Sequence, residues 1–451
     1  MNQPLVHVLV INWNGVEHLE DCFTSLLACP YENARFVLVD NGSTDGSEVF
    51  VRERFGHDPR VEFLNCGANL GWSGGNNEGI RRALAAGAAY VFLLNNDTRV
   101  APDFLDKTVA VAEGDGTVGV VAPKMVLFGQ PSVLNSTGLL MSPIGSCWDR
   151  GAGRIDGPQW NTPGGVVGAC GGACLIRASL FEKTGLLPEE FQIYLDDLDL
   201  CLRVLAASSR IVYCPDAVVE HKFSASMGVG ERARFKYYLG TRNRFWLILR
   251  NYPAFRIMRV SPLLLFGEAK AVGRAALDGE WWRAGAHARA WLAALRYIPA
   301  AAAHRRRMRA AGLAMGSFWR WVQKRPLFCP GVLLPENGWY APRMAGGVQV
   351  RPMAAHARME SAGNQLRGRV FNCYPALGAV RIRIMGGGVC LAEVETLDSA
   401  AFVVQPPAGA VDFVSDRLFP AEETGELADF GAWIHVESGN IPATGAAPNR
   451  K

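Results

Sequence analysis

Long apolar runs are absent from this 451-residue chain. A membrane-spanning helix needs about 20 apolar residues, and no run that is both uncharged and apolar approaches that length, so the sequence predicts no such helix. The first residues, MNQPLVHVLVINWNG, also lack the basic segment and apolar segment of a secretory signal peptide. We therefore expect a cytoplasmic protein, which still leaves peripheral contact with a membrane surface open.

Paired cysteines and a strong net charge are also missing. The 11 cysteines are scattered without a CxxC pair, which argues against a zinc site and favours free thiols in a reducing compartment. A formal net charge of +4 gives no reason to expect a nucleic-acid partner. The hydrophobic share of 49% is that of a folded protein, and the length predicts two or three domains.

Strands and helices alternate over the first 100 residues. The runs VHVLVIN (6–12), RFVLVD (35–40), VEFLN (61–65) and YVFLLN (90–95) are typical of buried strands. The segments EHLEDCFTSLLA (17–28) and GGNNEGIRRALAAG (74–87) have helical periodicity. This alternation predicts a mostly parallel α/β sheet, in which ligands bind beyond the carboxyl ends of the strands.

Each predicted strand ends in polar residues. A single polar strand end is usually a turn, but four at one edge of a sheet predict a binding site. None of them forms a G-x-G-x-x-G fingerprint or a P-loop. Asp40 suits a hydrogen bond to a base or ribose, and Asp97 suits a hard divalent cation that bridges phosphates. The polar strand ends are Asn12 with Asn14, Asp40 with Asn41, Asn65, and Asn95 with Asn96 and Asp97.

Six segments carry a family resemblance: VLVINWNG, VLVDNGSTDGS, NLGWSGGNNEGI, LLNNDT, GACLIR and YLDDLDLCLR, in this order over residues 8–203. They resemble the family 2 inverting glycosyltransferases of the GT-A fold, particularly the rhamnosyltransferase-like branch of bacterial surface-polysaccharide enzymes. The resemblance implies transfer of a sugar from a nucleotide-sugar, dTDP-L-rhamnose as first choice, to a hydroxyl of a glycan or lipid-linked acceptor. The pathway implied is cell-surface polysaccharide synthesis, such as O-antigen or cell wall.

The resemblance also implies a cation site and a donor site. LLNNDT resembles the family's D-x-D element, with Asn95 in the first acidic place and Asp97 retained. It implies Mg²⁺ or Mn²⁺ bound by Asp97, with His221 as a second ligand. The donor-binding residues implied are Asn12, Asn14, Asp40, Asn41, Gly71, Trp72, Gly75, Asn76, Asn95, Asn96 and Arg242; for Arg242 the contact is to phosphate or acceptor.

The segment YLDDLDLCLR supplies the predicted base. Acidic residues at a helix start are often there only because they favour the helix dipole. By resemblance to the family's E-D-x-D motif, with Asp196 in place of the glutamate, Asp197 is the general base and Asp196 the alternative. Asp199 is expected to pair with Arg203 one helical turn later. One base and one cation site imply a single displacement that inverts the anomeric configuration.

Composition changes twice downstream. Residues 241–330 are basic, helical and rich in tryptophan, which suits a helix in a membrane interface or, equally, a helical subdomain packed on the core. From 331 to 451, short alternating segments bounded by Gly and Pro predict an antiparallel β-sandwich with a disordered tail. Carbohydrate positioning, structural packing and homo-oligomerisation all remain open for it. The predicted domains are 1–240 (catalytic), 241–330 and 331–451.

Two other function classes compete. A nucleotidyltransferase acting on sugar phosphates usually has a glycine-rich loop with a basic residue near its N-terminus, and NWNG does not provide one. A non-catalytic glycan-binding protein would have no use for the pair Asp97 and Asp197. The glycosyltransferase is therefore the preferred hypothesis.

Overall fold

The computed structural model describes residues 3–222, residues 231–323 and the strands that lie between 343 and 436. The chain divides into two compact units, Met1–Gly151 with Asp156–Cys329, and Ala152–Ile155 with Pro330–Lys451. Helix α7 (Glu231–Asn251) of the first unit runs through residue 240, where the first predicted domain ends. The helices of that unit are α1 (Val16–Leu27), α2 (Ser47–Phe55), α3 (Gly71–Ala85), α4 (Phe104–Gly114), α5 (Leu180–Thr184), α6 (Asp196–Ala206), α7 (Glu231–Asn251), α8 (Ala254–Leu277) and α9 (Trp281–Ala310).

The strands of the first unit are β1 (Val6–Asn12), β2 (Ala34–Asp40), β3 (Val61–Asn65), β4 (Tyr90–Asn95), β5 (Thr98–Val100), β6 (Val118–Leu127), β7 (Gln130–Ser136), β8 (Leu139–Met141), β9 (Cys147–Asp149), β10 (Gly164–Gly165), β11 (Ala173–Arg177) and β12 (Arg210–His221). Ten form one sheet with the order β10-β12-β6-β11-β4-β1-β2-β3, to which β5 and β7 add at β12 and β6. The predicted α/β sheet is confirmed.

The sheet is parallel at the edge that matters for the site. Strands β1, β2, β3 and β4 all run parallel, and only β11 reverses direction between β4 and β6. Asn12 lies opposite Asp40, and Ile11 lies opposite Asn95. Because these residues end their strands in register, the polar strand ends meet at one edge of the sheet, as expected.

Alternating side chains of the central strands fill two cores. Leu9, Val37 and Leu93 point to the face covered by α3 and α6, and Val10, Leu38 and Phe92 to the face covered by α1 and α4. Such strands, buried on both faces, explain the near-continuous apolar runs in the sequence. The nine cysteines among the described residues are free thiols, as expected.

Two observed boundaries differ from the sequence predictions. Helix α3 begins at Gly71, three residues earlier than predicted, so the glycine and asparagine segment Gly71 to Asn77 is helical. Its first residue has φ of 75°, a conformation that glycine adopts without strain. His221, predicted to follow a strand, is instead the last residue of β12.

The helical region packs through its aromatic residues. Trp246 of α7 stacks on Tyr297 of α9 with ring centroids 4.2 Å apart, and Phe245 meets Trp291 at 4.7 Å. Helix α8 also packs on α9. Among the helices that the structure describes, none has the length and hydropathy needed to cross a membrane.

The second unit is an antiparallel β-sandwich, as predicted. One sheet has the order β13-β14-β21-β16-β19 and the other β15-β20-β17-β18. Val370 and Phe402 of the first sheet share a core with Ile382 and Phe413 of the second. The tail predicted to be disordered lies outside the described residues. The strands are β13 (Arg343–Ala345), β14 (Val348–Pro352), β15 (His356–Ala362), β16 (Leu366–Phe371), β17 (Val380–Gly386), β18 (Val389–Thr396), β19 (Ser399–Val404), β20 (Ala408–Ser415) and β21 (Trp433–Val436).

A buried ion network ties α6 to α7. Asp199, fully buried, contacts Arg203 one turn later at 2.9 Å, which confirms the predicted pair, and Arg250 of α7 at 3.0 Å. Asn251 donates a further hydrogen bond of 2.7 Å to the same carboxylate. Burial alone would raise the pKa of Asp199, but the charges of Arg250 and Arg203 hold it well below its ordinary value.

We predict that Asp199→Ala lowers the free energy of unfolding by about 3–5 kcal/mol, because it leaves two buried guanidinium groups without their shared carboxylate. Urea unfolding followed by circular dichroism measures the change. The control is Arg52→Ala, which breaks an exposed pair with Glu48 and should cost less than about 1 kcal/mol. Equal effects of the two substitutions would refute a structural role for the network.

Candidate active site

The ends of β1, β2 and β4 are joined by hydrogen bonds between side chains. Asn12 donates to Ser43 Oγ at 3.1 Å and to Asp40 at 3.4 Å, and Asn96 donates to Asn12 Oδ1 at 2.6 Å. The Ser43 backbone N–H donates to the other Asp40 oxygen at 3.1 Å. Asp40 is therefore held in place by neutral hydrogen-bond donors. The fourth polar strand end, Asn65, instead bonds to Glu48 on α2.

The turns that follow these strands are held in a similar way. Asn14 Oδ1 accepts a 2.7 Å hydrogen bond from the Thr44 N–H. Asn41 accepts from the Leu70 N–H at 2.9 Å and donates to the Gly71 carbonyl at 3.0 Å, which ties the end of β2 to the start of α3. These predicted donor-site residues therefore lie together at one edge of the sheet.

Helix α3 approaches this edge closely because a glycine, Gly75, faces the ends of β1 and β2. A Cβ on Gly75 would lie 2.4 Å from Ile11 Cδ1 and 3.2 Å from Asn41 Cγ, so no side chain fits there. Asn76 donates to the Trp72 carbonyl at 2.9 Å. Its Oδ1 is buried and accepts no hydrogen bond from the described residues.

Asp97 and His221 face each other beyond the end of β4. Asn135 Oδ1 lies 2.7 Å from His221 Nδ1, and because an amide oxygen only accepts, Nδ1 carries the proton in the neutral ring. The lone pair of Nε2 then points toward Asp97 Oδ1, 3.2 Å away. That oxygen is buried and accepts no hydrogen bond from any described residue. Two lone-pair donors in this position require a proton or a cation between them.

The pair fits Mg²⁺ or Mn²⁺. Adjacent ligands of an octahedral ion with bonds of about 2.1 Å lie roughly 3 Å apart, close to the observed spacing. Within the described residues there is no group of three or more His, Cys, Asp or Glu side chains that could hold a metal. Two ligands still suffice for an ion that keeps waters and binds substrate phosphates. Asn95 sits beside the pair, its Nδ2 3.5 Å from His221 Nε2.

The two candidate bases occupy the first turn of α6 in different surroundings. Asp196 is buried and accepts a 2.5 Å hydrogen bond from the Ser73 hydroxyl. Asp197 accepts from two backbone N–H groups, of Gly171 at 2.9 Å and of Leu198 at 2.7 Å. Backbone donors favour the ionised form of a carboxyl group, so Asp197 is the better placed of the two to carry the negative charge.

Burial dominates the titration of both groups. It raises the pKa of Asp196, and the neighbouring charge of Asp197 raises it further. Burial also raises the pKa of Asp197, against the backbone hydrogen bonds from Gly171 and Leu198 that lower it. The proton that the pair retains near neutrality therefore belongs on Asp196, and the free carboxylate on Asp197.

A series of contacts connects Asp196 and Asp197 with the candidate cation ligands Asp97 and His221. A Cβ on Gly171 would lie 2.6 Å from the Trp72 ring and 3.2 Å from Asp197 Cβ, so the indole and the Asp197 side chain both border Gly171. The Trp72 indole N–H donates to Asn95 Oδ1 at 3.1 Å, and Asn95 in turn borders His221. The sequence motifs around residues 72, 95, 97, 197 and 221 thus form a single site.

A strained loop delivers Asp196 and Asp197 to the site. Gln192, Tyr194 and Leu195 have φ of 66°, 74° and 64°, each in the left-handed region, where non-glycine residues store strain. Asn243 of α7, buried, donates to the carbonyls of Phe191, Ile193 and Tyr194 at 2.9–3.0 Å. Asn243 therefore holds the loop that precedes α6.

Arg242 lies next to this loop. It is buried, donates to the carbonyls of Glu190 and Phe191 at 2.9 and 3.1 Å, and covers the Trp246 ring at 4.1 Å. These contacts hold the turn before the loop and do not bring Arg242 to the strand ends. Its assignment to phosphate or acceptor remains a prediction.

Several residues of the site escaped sequence reasoning. Asp149, at the end of β9, is near enough to Asp197 for that charge, after burial, to raise its pKa to about 6. Its Oδ1 is buried and accepts no hydrogen bond from the described residues. Neither Asp149 nor Asn135 stands in a recognisable motif. Ser73 and Gly171 lie within or directly beside quoted segments, so that signal was present.

Part of the chain is similar to known glycosyltransferases. Residues 7–185 match the family described as Glycosyl transferase family 2. An uncharacterized protein of Sinorhizobium fredii is 30% identical over 262 residues, which cover 54% of this chain and 28% of that protein. The N-acetylglucosaminyl-diphospho-decaprenol L-rhamnosyltransferase of Mycobacterium tuberculosis is 28% identical over 244 residues, covering 49% of this chain and 77% of that protein. The solved mannosyltransferase of Pyrobaculum calidifontis, in complex with GDP-Man and Mn²⁺, is 20% identical with a TM-score of 0.42, covering 69% of this chain and 87% of that one.

A mostly parallel α/β unit with its polar site beyond the strand ends is the architecture of a GT-A glycosyltransferase domain. Residues 7–185 match glycosyltransferase family 2. The predicted family, fold class and enzyme class agree with this match.

We predict that Asn243→Ala lowers turnover at least tenfold while the Michaelis constant for the donor changes little. The substitution removes three hydrogen bonds from the strained loop, so Asp197 loses its position while the strand ends stay intact. Steady-state kinetics measures the effect, and thermal unfolding monitors the fold. Asn243→Asp, which keeps the size of the side chain but cannot donate, should be equally impaired; full activity in both variants would contradict the positioning role.

Proposed function

We propose that this protein is a metal-dependent inverting hexosyltransferase that moves a sugar from a nucleotide-sugar to a hydroxyl group. The observation that carries the proposal is the continuous line of contacts from Asp197 through Trp72 and Asn95 to His221 and Asp97. These contacts place the Asp197 carboxylate and the candidate cation ligands in one site. A glycan-binding protein would not need such a combination.

The strand ends are proposed to hold the leaving group. Asp97 and His221 would bind Mg²⁺ or Mn²⁺, which supplies charge neutralisation for the departing diphosphate. The neutral amides of Asn95 and Asn96 add no repulsion beside it. Asp40, fixed by Asn12 and Ser43, is proposed to accept a hydrogen bond from the nucleoside. Asn14, Asn41 and the first turn of α3 with Gly71, Trp72, Gly75 and Asn76 complete the proposed donor site.

Asp197 is proposed to act on the acceptor. The acceptor oxygen forms a bond to the anomeric carbon while the bond to the diphosphate oxygen breaks. The acceptor proton passes to Asp197, and the nucleoside diphosphate leaves with the electron pair of the broken bond. General-base assistance of this kind contributes about 10²–10⁴-fold to the rate. Asp196, protonated and bonded to Ser73, would keep a second negative charge away from the base.

We propose dTDP-L-rhamnose as the donor and a glycan or lipid-linked molecule as the acceptor. The relative from Mycobacterium tuberculosis supports both, since its name gives an L-rhamnosyl group and a decaprenol-linked acceptor. The pathway would be synthesis of a cell-surface polysaccharide such as O-antigen or cell wall. A lipid-linked acceptor would require the enzyme at the inner face of the cytoplasmic membrane, which is the location that we propose. For the β-sandwich, acceptor positioning and self-association both remain hypotheses.

We predict that Asp97→Ala abolishes Mn²⁺-dependent transfer without loss of fold, because His221 alone cannot hold the ion. Isothermal titration of Mn²⁺ in the presence of dTDP measures binding independently of activity. Asn135→Ala should weaken the same binding about 10–100-fold, since it releases the ring that it orients. Wild-type transfer that is insensitive to EDTA would disprove the metal role.

We predict that Asp197→Asn lowers turnover about 10²-fold or more with donor affinity little changed, because an amide cannot take the proton. The matched control is Asp196→Asn, which mimics the protonated neighbour and should stay within about tenfold of the wild type. The pKa of Asp197 is raised above the ordinary aspartate value of about 4. Wild-type turnover should therefore fall as the pH drops through this raised pKa, because the base becomes protonated. Near-normal turnover in Asp197→Asn with loss in Asp196→Asn would move the base to Asp196.

A further inference from the structure

Exposed apolar side chains are concentrated on two helices of the first unit. Of the large apolar residues that are exposed in the described part of the chain, more than half lie on α8 and α9. On α8 the most exposed include Phe266 at 68% and Met258 at 69%. An exposed apolar surface of this extent is unusual for a surface that only faces water. The complete set is Phe255, Met258, Leu265, Phe266, Val272 and Leu277 on α8 and Trp281, Leu292, Leu295 and Ile298 on α9.

The exposed residues of α8 share one face. Phe255, Met258, Leu265 and Phe266 follow each other at helical spacings, which put them within a sector roughly 100° wide. The opposite side of the helix, with Val260 and Leu264, is buried in the core. Helix α8 is therefore apolar on both sides, but only its inner side has a covering element among the described residues.

Most of the charges beside this face are positive. Arg259 and Lys270 are exposed on α8, and Arg274 pairs with Asp278 just after the helix. The one acid within α8, Glu268, is buried and bonded to Arg244 and His287. Helix α9 contains no acid over its 30 residues and carries exposed arginines at 289, 296, 306, 307 and 309. An apolar face bordered mainly by cations complements an anionic lipid surface.

We propose that the outer face of α8, together with Leu292, Leu295 and Ile298 of α9, lies in the headgroup region of an anionic bilayer. The helices would lie in the plane of the membrane, with their arginine and lysine side chains reaching the lipid phosphates. This surface rests on the proposed function only for its purpose, which is to bring the enzyme to a lipid-linked acceptor.

The surface differs from the one that tryptophan content in the sequence suggested. Trp291 packs on Phe245, Trp319 packs on Tyr252, and Trp282 contacts Tyr237. Among the described tryptophans of α8 and α9, Trp281 is exposed, at 69%. The anchors on α8 are therefore leucine, phenylalanine and methionine side chains.

A second copy of the chain is the competing occupant. A symmetric contact through α8 would set the cations of one copy against the same cations of the other, and like charges at a contact are unfavourable. A phospholipid surface instead supplies the opposite charge. The charge pattern therefore favours lipid over self-association.

The test is co-flotation of the full chain with vesicles of phosphatidylcholine, with and without phosphatidylglycerol. We expect binding that rises with phosphatidylglycerol and falls with salt. Leu265→Asp with Phe266→Asp should lower the bound fraction at least tenfold, and Arg259→Glu with Lys270→Glu should remove its dependence on phosphatidylglycerol. The matched controls are Val49→Asp, an exposed apolar residue of α2, and Lys183→Glu, an exposed cation of α5; both should bind vesicles as the wild type does.

Binding of dTDP, measured by thermal shift, should be the same in all these variants, so failure of the surface and failure of the proposed function are distinguishable. Absence of wild-type binding at low salt would overturn the proposal, as would undiminished binding by the Leu265→Asp and Phe266→Asp variant. A dimer in analytical ultracentrifugation that this variant dissociates, without vesicle binding by the wild type, would assign the face to a second copy.

Discussion

Two adjacent carboxyl groups in a buried first helical turn are the constraint around which the site is built. Ionising both groups is unfavourable, because burial and mutual repulsion both raise the pKa of a carboxyl group. The surrounding structure separates them: a hydroxyl hydrogen bond for Asp196 and two backbone N–H groups for Asp197. Holding them there requires the strained loop before α6, and the loop requires Asn243. The buried network of Asp199 then fixes α6 against α7, so positioning and stability are supplied by the same two helices.

Neutral side chains serve the opposite end of the site. Asn96 donates to Asn12, Asn12 donates to Asp40, and Asn95 accepts from Trp72, so the strand ends are ordered without added charge. Asp97 is then the carboxylate beside His221. The lone pairs of these two side chains face each other and favour a bound cation. The reduced acidic content of LLNNDT is thus consistent with a site in which the diphosphate supplies the remaining ligands.

Much of the first unit follows from sequence, because buried parallel strands leave a plain apolar signal and their polar ends fall at one edge. The pairing of Asp199 with Arg203 follows from helical spacing. Asn135 and Asp149 did not follow, since they enter the site from β7 and β9 and belong to no motif. The start of α3 was missed by three residues because the residue before it, Leu70, makes no capping hydrogen bond through its side chain, so the usual sequence signal for a helix start is absent. The exposed side of α8 and α9 did not follow from sequence either, because composition does not reveal which side of a helix packs.

The central claim is that Asp197 and the pair of Asp97 and His221 act on opposite sides of one anomeric carbon in a single displacement. The most direct measurement is the configuration of the product linkage, followed by proton NMR as it forms from a donor of known anomeric configuration. The account predicts a linkage inverted relative to the donor at the earliest times observed. A retained linkage would require a second displacement and would contradict the account.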